Sequence, residues 1–144
     1  MGLETTSWDW LRNGIKSVVP QFSILERVEN GVLDGMADVN YVIRGVEGWI
    51  EMKAAEIPKR SSTPILGSEG MRISQINWHL QRQRLLGRTY VFVSAAPFRW
   101  LVAGYHAAEI NEWTIDDFSA KSRFWYDEKW GRKEWERLVK ALTS

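Results

Sequence analysis

The chain has 144 residues, 44% hydrophobic and 26% charged, with a net charge of +1, a composition that reads as one globular domain over residues 1–144. It has no cysteine, which excludes disulfides and thiolate metal sites, and only two histidines, His79 and His106, which leaves a zinc site unexpected. No apolar run approaches the roughly 20 residues of a membrane span, and "MGLETTSWDW" lacks the basic-then-apolar order of a signal peptide, so a cytoplasmic protein with no membrane partner is expected.

In chain order, residues 5–17 predict a helix. Thr5 or Thr6 can cap it, Trp8, Leu11 and Ile15 share one face, and Pro20 ends it. "FSILERVEN" (22–30) reads as a strand and "GVLDG" as a connector with turn chemistry. Two further strands follow as a hairpin within 35–53. Residues 55–72, with two prolines, three serines and two glycines, read as a long mobile loop. Residues 73–86 predict a helix, capped by Ser74 and stopped by Gly87. "TYVFVSA" (89–95) is a buried strand, Ala96-Pro97 a turn, and "FRWLVAGY" (98–105) another strand. Residues 106–113 read as a short helix or turn and 114–131 as irregular. A closing helix over 132–142 puts Trp135, Leu138, Val139 and Leu142 on one stripe. The order α-β-β-β-α-β-β-α predicts an α/β fold, a mixed central sheet with helices on its faces, and a C-terminal helical extension over about 104–144 beyond a core of about 5–103.

The hairpin "GMADVNYVIRGVEGWIEMK" (35–53) raises a question of its own. Alternation sends Val39, Tyr41, Ile43, Ile50 and Met52 to one face, which is a core face, and Asp38, Asn40, Glu51 and Lys53 to the other. A two-residue turn at Gly45-Val46, with Gly first, fits a type II′ turn. It would pair Arg44 with Glu47, Val42 with Trp49, Asn40 with Glu51 and Asp38 with Lys53. Asp38 and Glu51 are then diagonal neighbours that one cation could touch. The plain alternative is a solvated sheet face with a salt bridge. Against it, Val42 and Trp49 continue the same face, and the next helix presents Gln75, Trp78, His79 and Arg82.

"ADVN" followed by "EMK" resembles the PD-(D/E)xK motif of the restriction-endonuclease-like nucleases. The wider run "RVENGVLDGMADVN…GWIEMK…ISQINWH" is similar to small phage-type nucleases related to the VRR-NUC group and to archaeal Holliday-junction resolvases. The similarity covers residues 22–95, about half the chain, and the predicted elements fit that family's αβββαβ core. Ala37 stands where the family usually has proline.

The resemblance implies a Mg²⁺-dependent deoxyribonuclease, with Mn²⁺ as a possible substitute, acting on duplex or branched DNA. It implies Asp38, Glu51 and the backbone carbonyl of Met52 as metal ligands. Lys53 would position the attacking water or offset developing charge, and Gln75 would orient Lys53 or the water. An acid from the first helix often joins such sites. Glu4 is the first candidate, then Asp9, with Glu29 as a third. Lys59, Arg60, Arg72, Arg82 and His79, with Arg84 a weaker candidate, would contact phosphates without reading sequence. A resolvase would be a two-fold homodimer, for which the Trp-rich C-terminal third could supply the interface. If phage-encoded, the protein would act in a bacterial cytoplasm. A non-catalytic nucleic-acid-binding domain and a phage assembly protein are the alternatives.

Overall fold

The computed structural model describes residues 3–28 and 34–144, with side chains described from residue 6 onward. Four helices, α1 (Leu3–Val18), α2 (Ile73–Arg84), α3 (Ile115–Lys121) and α4 (Arg132–Leu142), accompany six strands. These are β1 (Ser23–Arg27), β2 (Val39–Ile43), β3 (Val46–Ala54), β4 (Thr89–Ala95), β5 (Phe98–Ala103) and β6 (Phe124–Tyr126). The strands form one mixed sheet in sequence order, antiparallel everywhere except between β3 and β4. That parallel pair is joined through α2, as a crossover requires. No described helix is long and apolar enough to cross a membrane.

Alternation splits the core into two layers. On one face Val39, Tyr41, Ile43, Ile50, Met52, Phe92 and Leu101 meet Leu11 and Ile15 of α1 and Trp135, Leu138 and Leu142 of α4. On the other face Val91, Val93, Trp100 and Val102 meet Ile65, Leu66 and Met71 of the 55–72 segment, with Ile110, Trp113 and Phe118. This second cover reaches β4 and β5. Over β1 and β2 it gives way to solvent, where Ile24 is 56% exposed. Strand β3 therefore marks the border between a covered and an open half of one sheet face, and the polar side of the hairpin lies on that border.

Several expectations are corrected. The hairpin turns at Arg44-Gly45, both at positive φ (50° and 82°), so the turn is of the I′ kind and not II′ at Gly45-Val46. The register moves accordingly: Asn40 pairs with Trp49, Tyr41 with Gly48 and Val42 with Glu47. A side chain at Gly48 would meet the Tyr41 ring, with a Cβ 2.3 Å from its hydroxyl oxygen, so the bare glycine admits Tyr41 across the strand. The Tyr41 hydroxyl then donates to the Leu142 carbonyl at 2.7 Å, fixing α4 to the hairpin. The face assignments survive, because the change in register preserves parity.

The 55–72 segment is anchored rather than loose. Asn111 Oδ1 accepts the Met71 N–H at 2.6 Å, Asn111 Nδ2 donates to the Met71 carbonyl at 2.9 Å, and Ile65 N–H donates to the Trp113 carbonyl at 3.0 Å. Helix α2 is preceded by Arg72, not capped by Ser74, and ends at Arg84; the left-handed residue beyond it is Leu86, not Gly87. The stretch read as irregular contains α3 and β6, with Thr114 and Asp117 forming a capping box.

None of the nine tryptophans is exposed. Trp100, Trp113, Trp130 and Trp135 are buried in the two layers, and Trp125 packs half-buried against the second of them.

Candidate active site

The charges in the middle of the sheet are held by one another and by α2. Continuing the β2–β3 ladder one step beyond Val39–Ile50 sets Asp38 opposite Glu51, closer than the expected diagonal. The Asp38 backbone carbonyl accepts the Val28 N–H at 2.6 Å, and its Oδ2 accepts the Met52 N–H at 3.1 Å. Its carboxylate is therefore aimed across the start of the hairpin towards β3. Glu51 is 2% exposed, and Lys53 Nζ lies 3.9 Å from its Oε2 with 12% of the lysine side chain exposed.

Gln75 ties this pair to α2. Its Nε2 donates to Glu51 Oε2 at 3.2 Å, while its Oε1 accepts from Lys53 Nζ at 3.2 Å and from the Arg72 N–H at 2.9 Å. Two donors meet the oxygen and one acceptor meets the nitrogen, so only one amide orientation satisfies all three. The same oxygen also closes the first turn of α2 by meeting an N–H that the helix leaves unpaired. Gly35 allows the approach. It sits at φ 86°, and a Cβ there would lie 2.3 Å from the Ser74 carbonyl oxygen, so the segment leading to Asp38 rests directly on the start of α2.

Beside this cluster, on the same sheet face, stands an aromatic and cationic group. Trp49 meets Trp78 edge-on at 5.7 Å between ring centres, and the Arg82 guanidinium lies 4.3 Å from the Trp78 ring centre and 6.0 Å from that of Trp49. His79 is wholly buried next to Trp78, out of reach of any phosphate at the surface. Burial, then the positive charges of Arg82 and Lys53, push its pKa down to about 4.

Of the other residues expected at the site, Arg72 is exposed at the start of α2 and faces Asp34 at 3.6 Å. Lys59 and Arg60 are exposed on the segment that leaves β3, and Arg84 is exposed at the end of α2. Helix α1, which carries Glu4 and Asp9, packs on the opposite face of the sheet from Glu51 and Lys53. The side chain of Glu4 and all of Glu29 lie outside the described residues. Two residues of the site were not read from the sequence. In the sequence Trp49 reads only as an apolar continuation of the face, and Gly35 only as part of a motif. A glycine three residues before an acid was the one available signal for the second.

For a divalent cation the site offers hard oxygen donors: the carboxylates of Asp38 and Glu51 and, at Met52, the main chain alone, since its side chain is wholly buried in the core. Among the described residues no group of three His, Cys, Asp or Glu side chains converges. Neither a protein-family model nor a curated protein matches the chain.

Proposed function

We propose that the chain is a metal-dependent nuclease with a restriction-endonuclease-like core, hydrolysing phosphodiester bonds of duplex or branched DNA. One observation carries this reading: two carboxylates on adjacent strands stand opposite each other while a nearly buried ammonium two residues along is held by a glutamine from the following helix. A solvated sheet face would not enclose Glu51 to 2% exposure, nor fix Lys53 through an amide with no orientational freedom. The order α1-β1-β2-β3-α2-β4, with a parallel β3–β4 pair, is compatible with the αβββαβ arrangement that the motif resembles.

Asp38, Glu51 and the Met52 carbonyl would hold Mg²⁺, or Mn²⁺ in its place, which when bound supplies Lewis-acid neutralisation of phosphate charge and acidifies the attacking water. Lys53, held by Gln75, contributes a fixed positive charge where negative charge builds on the phosphate. Asp38 is kept in line by the Met52 N–H. Arg72 and Arg82, ten residues apart and so about 15 Å along α2, would track the DNA backbone with Lys59 and Arg60. Such contacts bind without reading sequence, and affinity should fall steeply with salt. Trp49 and Trp78, under Arg82, give the open side of the site an aromatic wall. A junction-resolving form of the enzyme would further require a two-fold dimer.

The second reading is a nucleic-acid-binding domain without catalysis. It is favoured by the absence, among the described residues, of a third acid beside Asp38 and Glu51. A nicking assay with Mg²⁺ on plasmid, branched and single-stranded DNA separates the two. The nuclease reading expects cleavage by the native protein and none by Glu51→Ala. It fails if the folded native protein leaves every substrate intact, or if Glu51→Ala preparations cut as well as native ones. DNA retention without cleavage would leave the binding domain.

A further inference from the structure

On the face opposite Glu51 and Lys53 lies a second polar site that the nuclease reading does not use. Ala54 of β3, Ser94 of β4 and Arg99 of β5 are successive partners across three strands, and their side chains share the face covered by α1. Alanine and serine leave this end of the sheet unfilled. The result is a cavity of about 260 Å³ lined by these three residues and by Ser7 and Trp10 of α1, with Glu56 also on its wall.

Two of the side chains on it, Ser7 and Arg99, keep buried polar atoms without a partner among the described residues. Ser7 is 5% exposed, and its hydroxyl makes no hydrogen bond among the described residues. The Arg99 guanidinium is stacked 4.2 Å from the centre of the Trp10 ring. Among the described residues its buried Nε has no partner, and Nη1 donates to the Pro97 carbonyl at 3.4 Å. Among the described residues no carboxylate lies within ion-pair distance of it. Burial lowers its pKa from the usual arginine value, the direction expected when a guanidinium loses water without gaining an anion. Unmet donors on buried groups are rare in folded proteins and call for a ligand or an ion.

We infer that this cavity binds a phosphate monoester group, gripped by Arg99 and Ser7. The planar Arg fork, pre-set by stacking on Trp10, matches two phosphate oxygens. The Ser7 hydroxyl can donate to a third. A phosphate monoester carries close to two negative charges and three free oxygens, which suits this donor set better than a carboxylate. The volume is below the roughly 300 Å³ where pockets for larger ligands begin, so the cavity takes one small group and leaves whatever bears it outside. That bearer is either a small phosphorylated molecule or the terminal phosphate of a nucleic-acid strand.

The test uses the full-length protein and the Arg Nε–Hε signals of its NMR spectrum, assigned by Arg99→Met, which keeps an apolar stem against Trp10. Inorganic phosphate, a nucleoside monophosphate, a 5′-phosphorylated oligonucleotide and its 5′-hydroxyl counterpart are titrated separately in the absence of divalent metal. A saturable shift of the Arg99 signal with the phosphorylated probes is expected, and none with the hydroxyl oligonucleotide. Affinity, read for native protein and variants by isothermal titration calorimetry because Arg99→Met removes the reporter signal, should weaken roughly tenfold or more in Arg99→Met and measurably in the milder Ser7→Ala. Glu56→Gln, which removes a negative charge from the wall, should tighten it about two- to fivefold. Preference for the oligonucleotide end over the free phosphates would identify a strand terminus as the bearer, and the reverse order a small molecule. The inference is overturned if no phosphorylated probe shifts the signal, or if acetate shifts it equally. It is also overturned if Ser7→Ala and Arg99→Met, shown to be folded by circular dichroism, bind as the native protein does. None of these outcomes depends on DNA cleavage, so the inference and the nuclease reading can fail separately.

Discussion

Gln75 brings three elements together with one side chain: it closes the first turn of α2, orients Lys53 and donates to Glu51. Two charges enclosed in this way are balanced against each other, and removing one leaves the other desolvated. Lys53→Met should therefore destabilise the fold by roughly 3 kcal/mol. Adding Glu51→Gln to Lys53→Met should recover a substantial part of that loss. Denaturant unfolding of the native protein, both single variants and the double variant measures the coupling directly; additive effects would contradict an enclosed pair. His79 gives a pH signature. Its imidazole titrates near 6.5 in the unfolded chain and near 4 when folded, because burial and then Arg82 and Lys53 disfavour its charge. Between those values the unfolded state binds more protons. Stability from this group is therefore complete above pH ~6.5 and falls as pH drops towards ~4, by up to about 3 kcal/mol. Unfolding of native protein and His79→Gln across that range should show the difference, with the variant losing less on acidification.

At the scale of elements, the hairpin depends on a left-handed Arg44 before Gly45. Asparagine tolerates that conformation better than arginine and suits the first position of such a turn. Arg44→Asn should raise stability by about 0.5–1 kcal/mol, read as a higher melting temperature. A turn at Gly45-Val46 would leave that substitution neutral. The element boundaries show what local pattern can and cannot reveal. Strand β4 was legible to the residue, because five consecutive β-forming residues, Thr89–Val93, run into the Ala96-Pro97 turn and have one reading. The period-two pattern likewise gave the core face of the hairpin. Its register differs from the expected one because Gly-first turn chemistry is satisfied one residue later. What selects the actual register is Tyr41 crossing the bare Gly48 and reaching Leu142, far along the chain. The anchoring of residues 55–72 rests on Asn111, 40 positions beyond Met71, and leaves no local trace. Helix α3 did leave a trace, the Thr-x-x-Asp at 114–117, but its seven residues are too few for an amphipathic pattern.

At the scale of the molecule, the sheet serves both sites. Helices α1 and α4 seal one face, the 55–72 segment and α3 seal half of the other, and β3 runs along the edge of that second cover. Residues on β3 can thus be enclosed at Glu51 and still stand beside open surface at Trp49. This explains how a small fold accommodates two acids and an amine in the middle of a sheet. Composition made a folded α/β domain legible, and spacing made Asp38, Glu51 and Lys53 legible as a group. Gly35 and Trp49 could not be ranked, since one acts through the Ser74 backbone and the other through a ring on another element. The most direct measurement is the Mg²⁺-dependent rate at which supercoiled plasmid is nicked by native protein and by Asp38→Asn, both verified as folded. The variant should be slower by roughly 100-fold or more, since groups merely supporting a metal ligand already cost 10–100-fold. Equal rates in the two proteins, or no rate in either, would contradict the assignment of these carboxylates to catalysis.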